Sequence, residues 1–355
     1  MLWYLILLII IIFVLVLEQF RIKNKATVVF GFTVIIVILL ALFSASRDGF
    51  GADYNSYSSY FDMYKSGYIV KFEPGYLFLE EVTHQLGLGF QFIVIICALV
   101  YMFCVMRLFF AYSTSVIFSI FLFFCFTENY ISSLSFIRQS LAAGILVFAF
   151  ISIVKNRKGY FLFFITLATM FHYSSLVFLS LFFINKIKIR SYFLLLPLIV
   201  YVFGSLLTLD VYILNITAQS GMYQHFDKLL LNDSEANGYG FLVSYLVFLI
   251  LSYKYTKINL STVSSLLLKA TVLYYLFIAL SIHYPPFSRL ALLFSLYPCV
   301  LIPGLIEKYN IVDKQKFILK IALVFLYSIL AARFFMNTSF VRDYGNVAFF
   351  FGDIF

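Results

Sequence analysis

Long apolar stretches without a charged residue restrict the fold of this chain more than any other feature. Leu5–Leu17 and Val28–Phe43 are two of them. Of all residues, 63% are hydrophobic and only 12% are charged, whereas a soluble domain has about 25% charged residues. Because a soluble protein must cover its core with polar groups, this composition excludes a cytosolic enzyme, a secreted disulfide scaffold and a disordered chain. The strands of a membrane barrel alternate apolar and polar residues, so a barrel is excluded too.

The sequence therefore predicts an all-α, polytopic integral membrane bundle that forms a single transmembrane domain over residues 1–355. A spanning helix needs about 20 apolar residues, and about ten segments qualify. The predicted spans are residues 1–17, 27–45, 90–106, 114–130, 136–154, 191–209, 239–253, 262–282, 290–306 and 317–336. Residues 1–17 are kept as a helix because they lack the basic start and the cleavage site of a signal peptide.

Basic loops orient the bundle, because positively charged loops stay in the cytoplasm. The basic residues after the first span place residues 46–89 and 210–238 outside, together with both termini. Segment 159–184 decides the side of many later basic residues, which remain inside only if this segment enters the membrane and returns. We therefore predict a re-entrant pair of arms, 159–171 and 172–184, with a single crossing as the alternative.

His172 lies at the predicted tip of that pair, at membrane depth and facing a cavity of the bundle. An ionisable group at such depth is a functional candidate, and an imidazole suits proton transfer near neutral pH. The alternative is a structural histidine that is satisfied by a hydrogen bond.

The cysteines and histidines give no sign of a metal. Cys97, Cys104, Cys125 and Cys299 lie in apolar runs and are expected to be buried free thiols. No HxxxH or CxxC spacing occurs, so the sequence predicts no metal site and no cofactor.

The arginines are distributed differently from the lysines, most of which are cytoplasmic in this topology. The arginines at or near the predicted outer face are Arg47, Arg138, Arg289, Arg333 and Arg342. An arginine fork matches phosphate oxygens and stays charged when partly buried. Several of them at one face suggest a diphosphate group as ligand, and the alternative is snorkelling or local pairing with Asp48, Glu128 or Asp343.

Segment 46–89 holds the densest group of polar residues. Its aromatic residues fall at helical spacing, at Tyr54, Tyr57, Phe61, Tyr64 and Tyr68. This stripe predicts one face of a helix that either lies at the membrane interface or stacks on sugar rings. Asp53 is the predicted N-cap of that helix or, alternatively, a general base. Glu73-Pro74-Gly75 predicts a turn and a second helix start.

Several short motifs follow one another along the chain, and their order and spacing are more specific than any one of them. They are Arg47-Asp48-x-x-Gly51-x-Asp53-Tyr54-x-x-Tyr57, Glu73-Pro74-Gly75-Tyr76, Ile137-Arg138-Gln139-x-Leu141-Ala142, Phe171-His172-Tyr173-Ser174-Ser175 and Ser288-Arg289. In this order and spacing, over about two thirds of the chain, they resemble the EpsG family. Members of this family are Wzy-type polymerases of bacterial O-antigens, capsules and exopolysaccharides.

The resemblance implies a glycosyltransferase that needs no metal or nucleotide sugar. It would move a growing glycan from undecaprenyl diphosphate to a lipid-linked repeat unit at the outer face of the bacterial inner membrane. The implied partners are undecaprenyl-diphosphate-linked glycans, membrane lipids and a chain-length regulator protein, with no nucleic acid.

The resemblance also implies a role for individual residues of these motifs. Arg47, Arg138 and Arg289 would hold the diphosphate, and Asp53 is slightly favoured over His172 as the base. The expected sugar-binding residues are Tyr54, Tyr57, Glu73 and Gln139.

Two other functions fit a membrane protein that binds lipid diphosphates. One is a flippase for lipid-linked oligosaccharides, but the sequence predicts no paired interrupted helices of the kind that transporters use. The other is an O-antigen ligase or another lipid-sugar-dependent glycosyltransferase.

Overall fold

The computed structural model of the protein describes residues 2–18, 25–49, 51, 53–68, 71–207, 227–253, 260–309, 312–336 and 348–349. The first half contains α1 (Leu2–Leu17), α2 (Lys25–Ser46), β1 (Arg47–Asp48), α3 (Tyr54–Lys65), α4 (Pro74–Gln85), α5 (Phe90–Tyr112), α6 (Val116–Cys125), α7 (Tyr130–Ser135), α8 (Ile137–Val154) and α9 (Lys158–Thr169). The second half contains a 3₁₀ helix (Tyr173–Leu179), α10 (Ser180–Asn185), another 3₁₀ helix (Ser191–Leu195), α11 (Leu196–Leu206), α12 (Asp227–Tyr253), α13 (Thr262–His283), α14 (Phe287–Leu292), α15 (Leu296–Lys308), α16 (Asp313–Met336) and β2 (Ala348–Phe349).

The outer surface of the bundle is apolar, as a lipid environment requires. Within the described part of the chain, five helices are long and apolar enough to cross a membrane: α2, α5, α8, α13 and α16. On α2 and α16 large side chains face outward, with Leu42 58% and Phe325 69% exposed. Water would penalise such extended apolar faces, whereas acyl chains accept them. The predicted all-α membrane bundle is confirmed, and the number of spans stays a prediction.

Helices α5 and α8 run parallel through the centre of the bundle. A Cβ added at Gly144 would lie 3.2 Å from the Cβ of Cys104, so the missing side chain allows the two helices to approach closely. Tyr112 and Phe150 meet further along both helices, with ring centroids 6.0 Å apart. Arg138, in the first turn of α8, therefore lies at the end of the bundle where α5 begins.

Residues 158–185 form a helical hairpin. α9 ends at Thr169, and the chain then reverses through Phe171 and His172. The returning arm packs along α9, since the ring of Phe161 lies 6.5 Å from that of Phe178 and 6.0 Å from that of Phe182. The predicted turn at residues 171–173 is thus confirmed, and its placement relative to the membrane stays a prediction.

Two predicted spans are interrupted, which corrects the expectation of continuous helices over 114–130 and 290–306. The first breaks between α6 and α7, and the second breaks between α14 and α15. The breaks meet, because the Asn129 side-chain amide donates to the Ser295 carbonyl at 3.2 Å. Both residues are buried. A tertiary hydrogen bond thus joins the two breaks, and the expectation of no paired interrupted helices is wrong.

A short strand pair connects the start of the segment after α2 with the C-terminal part of the chain. β1 pairs antiparallel with β2, with Arg47 opposite Phe349 and Asp48 opposite Ala348. α12 begins at Asp227, earlier than the predicted start at residue 239. Residues 210–226 of the predicted external segment lie outside the described residues. All four cysteines are free and buried, as predicted.

Candidate active site

Three side chains from distant segments meet at one end of α8. Glu73 directly precedes α4, Arg138 lies in the first turn of α8, and His172 lies in the turn of the 158–185 hairpin. One oxygen of Glu73 accepts a charged hydrogen bond from Arg138, and the other lies 3.2 Å from Nδ1 of His172. The cluster is mostly shielded from solvent, with side-chain exposures of 5% for Glu73, 19% for Arg138 and 16% for His172.

Glu73 is charged and fully engaged in this cluster. Burial alone would raise the pKa of Glu73, but the hydrogen bond with His172 and the positive charge of Arg138 outweigh burial and hold that pKa below its usual value. Because both oxygens are already bonded, the carboxylate acts on its neighbours. It fixes the Arg138 guanidinium and orients the His172 ring so that Nε2 points away from Glu73.

Aromatic rings enclose the Arg138 guanidinium. Its central carbon lies 4.3 Å from the ring centre of Phe72, 5.3 Å from that of Tyr57 and 5.6 Å from that of Tyr76. Its Nε also donates to the Tyr57 hydroxyl at 3.2 Å. Cation–π attraction and the ion pair hold one orientation of the fork. The cage makes Arg138 a preorganised donor.

A glycine contact holds α4 against the hairpin. The Gly75 amide donates to the Met170 carbonyl at 2.7 Å, and a Cβ at this position would lie 2.8 Å from that same oxygen. Any larger residue must displace the backbone. Gly75 therefore brings Glu73 within reach of His172.

Asp53, at the start of α3, lies within electrostatic reach of two arginines. It occupies the N-cap position, but its side chain makes no capping hydrogen bond, so the predicted capping role is not supported by the geometry. Burial raises the pKa of Asp53 above its usual value, and the positive charges of Arg289 and Arg138 offset part of that effect. Gly51, two residues earlier, has a φ of +118°, and a Cβ there would overlap the Leu134 carbonyl. This contact fixes the approach of Asp53 to the bundle.

Arg289 lies on the short helix α14, with an exposed side chain. Its backbone carbonyl accepts a hydrogen bond from the buried Gln139 amide. Gln139 thus connects α14 to the first turn of α8, one residue after Arg138. The predicted residues Asp53, Arg138, Gln139, His172 and Arg289 come together at one end of the bundle.

Other predicted site residues lie mainly within the protein. Arg47 is 1% exposed and donates to both the carbonyl and the hydroxyl of Ser44, and burial lowers the pKa of Arg47 to about 10. Tyr54 is buried and donates to Oε1 of Gln91 at 2.9 Å. The predicted aromatic stripe forms one face of α3 from Tyr54 to Tyr64, with Tyr54, Tyr57 and Phe61 buried. Tyr68, its last predicted member, lies beyond the end of the helix and is exposed. The roles predicted for Arg47 in diphosphate binding and for Tyr54 and Tyr57 in sugar binding remain untested.

Glu80 is a residue that the sequence reasoning missed. It is fully buried, and neither of its carboxylate oxygens has a hydrogen-bond partner within the described structure. Burial raises the pKa of Glu80 to about 7, against the opposing charge of Arg138. The available signal was helical spacing, because Tyr76 and Glu80 are one turn apart on the inner face of α4.

The sequence matches the EpsG family over residues 30–346, and the chain belongs to that family. Neither a curated protein nor a solved structure matches it. Family membership gives the chain a role like that of a membrane polysaccharide polymerase, with lipid-linked glycans as substrates. The described cluster lies within the matched residues.

Proposed function

We propose that the protein transfers a growing glycan from undecaprenyl diphosphate to a lipid-linked repeat unit at the outer face of the inner membrane. The observation that carries this proposal is the convergence of Asp53, Arg138, His172 and Arg289 from four separate segments. Acids and cations of this kind match a reaction in which a hydroxyl loses a proton while a diphosphate departs.

The two arginines would share the leaving group. Arg289 is exposed and can meet the diphosphate as it arrives, whereas the caged Arg138 presents a fixed fork. The bond between the donor's anomeric carbon and the phosphate oxygen breaks, and lipid diphosphate leaves with the electron pair. Donors fixed before the reaction stabilise that developing charge without a reorganisation cost.

Asp53 would take the proton from the acceptor hydroxyl as the new glycosidic bond forms. Its raised pKa makes it a better base than an ordinary aspartate. His172, oriented through Nδ1 by Glu73, would turn Nε2 towards the diphosphate. Glu73 is then a positioning residue, in place of the sugar-binding role predicted from the sequence.

A reconstituted reaction tests this proposal. The purified protein in liposomes receives a purified undecaprenyl-diphosphate-linked repeat unit, and products are separated by length. A ladder of chain lengths together with released lipid diphosphate is the expected result. Products no longer than the supplied repeat unit, at a normal level of folded protein, would overturn polymerisation.

A flippase is the second candidate, because the two interrupted helices meet at Asn129 and Ser295. Transporters place substrates at such breaks where they line a cavity. Here Asn129 is 0% and Ser295 1% exposed, so this contact is sealed within the protein. Movement of a labelled lipid-linked unit across the liposome membrane, without chain growth, would favour the flippase.

A further inference from the structure

A recess lies at the end of α8 opposite Arg138. α8 has 18 residues, so its two ends are about 27 Å apart. The recess has a volume of about 200 Å³, and its lining includes Arg107, Lys155, Arg157, Phe148, Tyr160 and Phe164. It is therefore separate from the candidate active site, near the opposite membrane surface.

A rigid turn between α8 and α9 builds one wall of the recess. The Arg157 amide donates to the Ser152 carbonyl at 2.8 Å, and the Asn156 amide donates to the Ile153 carbonyl at 3.0 Å. Asn156 has a φ of +55°, so these bonds form the Schellman arrangement that ends many helices. Lys155 and Arg157 flank this turn, and their backbones are fixed.

The recess concentrates positive charge. Arg107 approaches it from α5, and Lys155 and Arg157 approach it from the turn, but no acidic side chain lines it. The ion pairs of the described residues involve Glu73 and Glu307 as acids, and none includes these three cations. Like charges that line one recess repel one another, and a bound anion relieves that repulsion.

Aromatic side chains continue the recess along the membrane-facing surface. The rings of Phe148 and Phe164 stack with centroids 5.3 Å apart, and Tyr160 is 60% exposed beside them. Tyrosines of this kind belong to the level of the lipid headgroups. A free anion would use only the cations, whereas a lipid would use both the cations and the aromatic wall.

We propose that this recess binds the phosphate headgroup of an anionic membrane phospholipid. The three cations would contact the phosphate, and the acyl chains would lie along Phe148 and Phe164. The lipid would come from the leaflet opposite the candidate active site, which positively charged helix ends place on the cytoplasmic side. This binding does not depend on the reaction proposed above.

The test is lipid retention by the purified protein, measured by native mass spectrometry with equal amounts of phosphatidylglycerol and phosphatidylcholine. The wild-type protein should retain phosphatidylglycerol preferentially. The triple variant Arg107→Gln, Lys155→Gln, Arg157→Gln should bind it on the order of 100-fold more weakly, because each cation near an anionic headgroup contributes severalfold. Equal retention of both lipids by the wild-type protein would overturn the proposal without any variant.

The matched control removes three cations that lie outside the recess, near the end of the same hairpin. The variant Lys186→Gln, Lys188→Gln, Arg190→Gln should retain phosphatidylglycerol as the wild type does. If both triple variants lose the lipid equally, the lipid responds to positive charge anywhere at this end of the protein, and the recess is not its binding site. A third arm adds inorganic phosphate, and displacement of the lipid by phosphate alone would assign the recess to a free anion and overturn the lipid as ligand.

Discussion

The two ends of α8 hold their cations in opposite ways. Arg138 at the first end is paired with Glu73 and enclosed by aromatic rings. Lys155 at the other end lines an open recess with Arg107 and Arg157, and no ion pair is found for it among the described residues.

The difference indicates two kinds of anion binding. A paired and caged arginine has already lost its hydration and its rotational freedom, so it can stabilise charge that develops during a reaction. An unpaired cation at a membrane surface keeps its full attraction for a ligand that is already charged. The paired end is thus suited to catalysis, and the unpaired end to holding a lipid.

The largest effect is expected at Asp53. Asp53→Asn removes the proposed base but preserves shape, and a lost general base lowers the polymerisation rate about 100- to 10,000-fold. The side chain makes no capping hydrogen bond, so α3 should remain folded. Because burial raises the pKa of Asp53, wild-type activity should decline on acidification at a higher pH than an ordinary aspartate would give. Rates of chain growth in liposomes, measured across pH, check both points.

Asp62→Asn is the control for that change, because Asp62 is an exposed carboxylate on the same helix and its loss should leave the rate unchanged. His172→Gln supplies the comparison within the cluster. If Asp53→Asn polymerises normally and His172→Gln does not, the two roles must be exchanged.

Arg138→Lys should follow, with a loss of about 100- to 1000-fold, the effect of removing one fixed donor to a developing charge. Lysine keeps the charge but lacks the planar fork that pairs with Glu73 and stacks on Phe72. The measurement is polymer length and rate at equal protein level. Arg190→Lys, an exposed arginine outside the cluster, is the control, and normal chain growth in Arg138→Lys would show that charge alone suffices.

Gly75→Ala should have an intermediate effect, because it leaves every charged group in place. The added methyl group would lie 2.8 Å from the Met170 carbonyl oxygen and so push Glu73 away from His172. A misplacement of about 1 Å can cost up to about 100-fold in rate, and we expect a loss of about 10-fold or more. Gly89→Ala in the same segment meets no atom within 4 Å and should behave as wild type. Equal activity of both variants would show that Gly75 is not needed to position Glu73.

Sequence patterns predicted the parts of this molecule that depend on local periodicity or on loop charge. The tyrosine spacing predicted α3, and the positions of the basic residues predicted a turn at His172. They did not predict the breaks at residues 126–129 and 293–295, because these breaks are stabilised by a hydrogen bond between residues that are distant in the sequence, Asn129 and Ser295.

The candidate site shows the same limit. The motifs identified Glu73, Arg138 and His172 individually, but only the fold brings Glu73 between the other two. A sugar-binding role was therefore predicted for a carboxylate whose oxygens are both engaged. Glu80 was missed because the pair Glu80-Glu81 resembles an exposed surface, whereas the packing of α4 buries the first and leaves the second partly accessible.

The smallest effect is expected at Glu80 and concerns stability at the paired end. The folded-state pKa of Glu80 is about 7, above its usual 4.5, so the folded protein keeps a proton that the unfolded chain releases. Stability should therefore fall as pH rises from about 5 to about 8. Glu80→Gln mimics the protonated form and should raise the melting temperature at about pH 8 by roughly 2 °C while changing it little at about pH 5. Glu81→Gln, at a neighbouring carboxylate whose pKa is lowered by hydrogen bonds from Tyr64 and Gln85, should keep the wild-type pH dependence over this range. If the stability of Glu80→Gln depends on pH as the wild type does, Glu80 is not the titrating group. A partner must then stabilise the charged form of Glu80 in the folded protein.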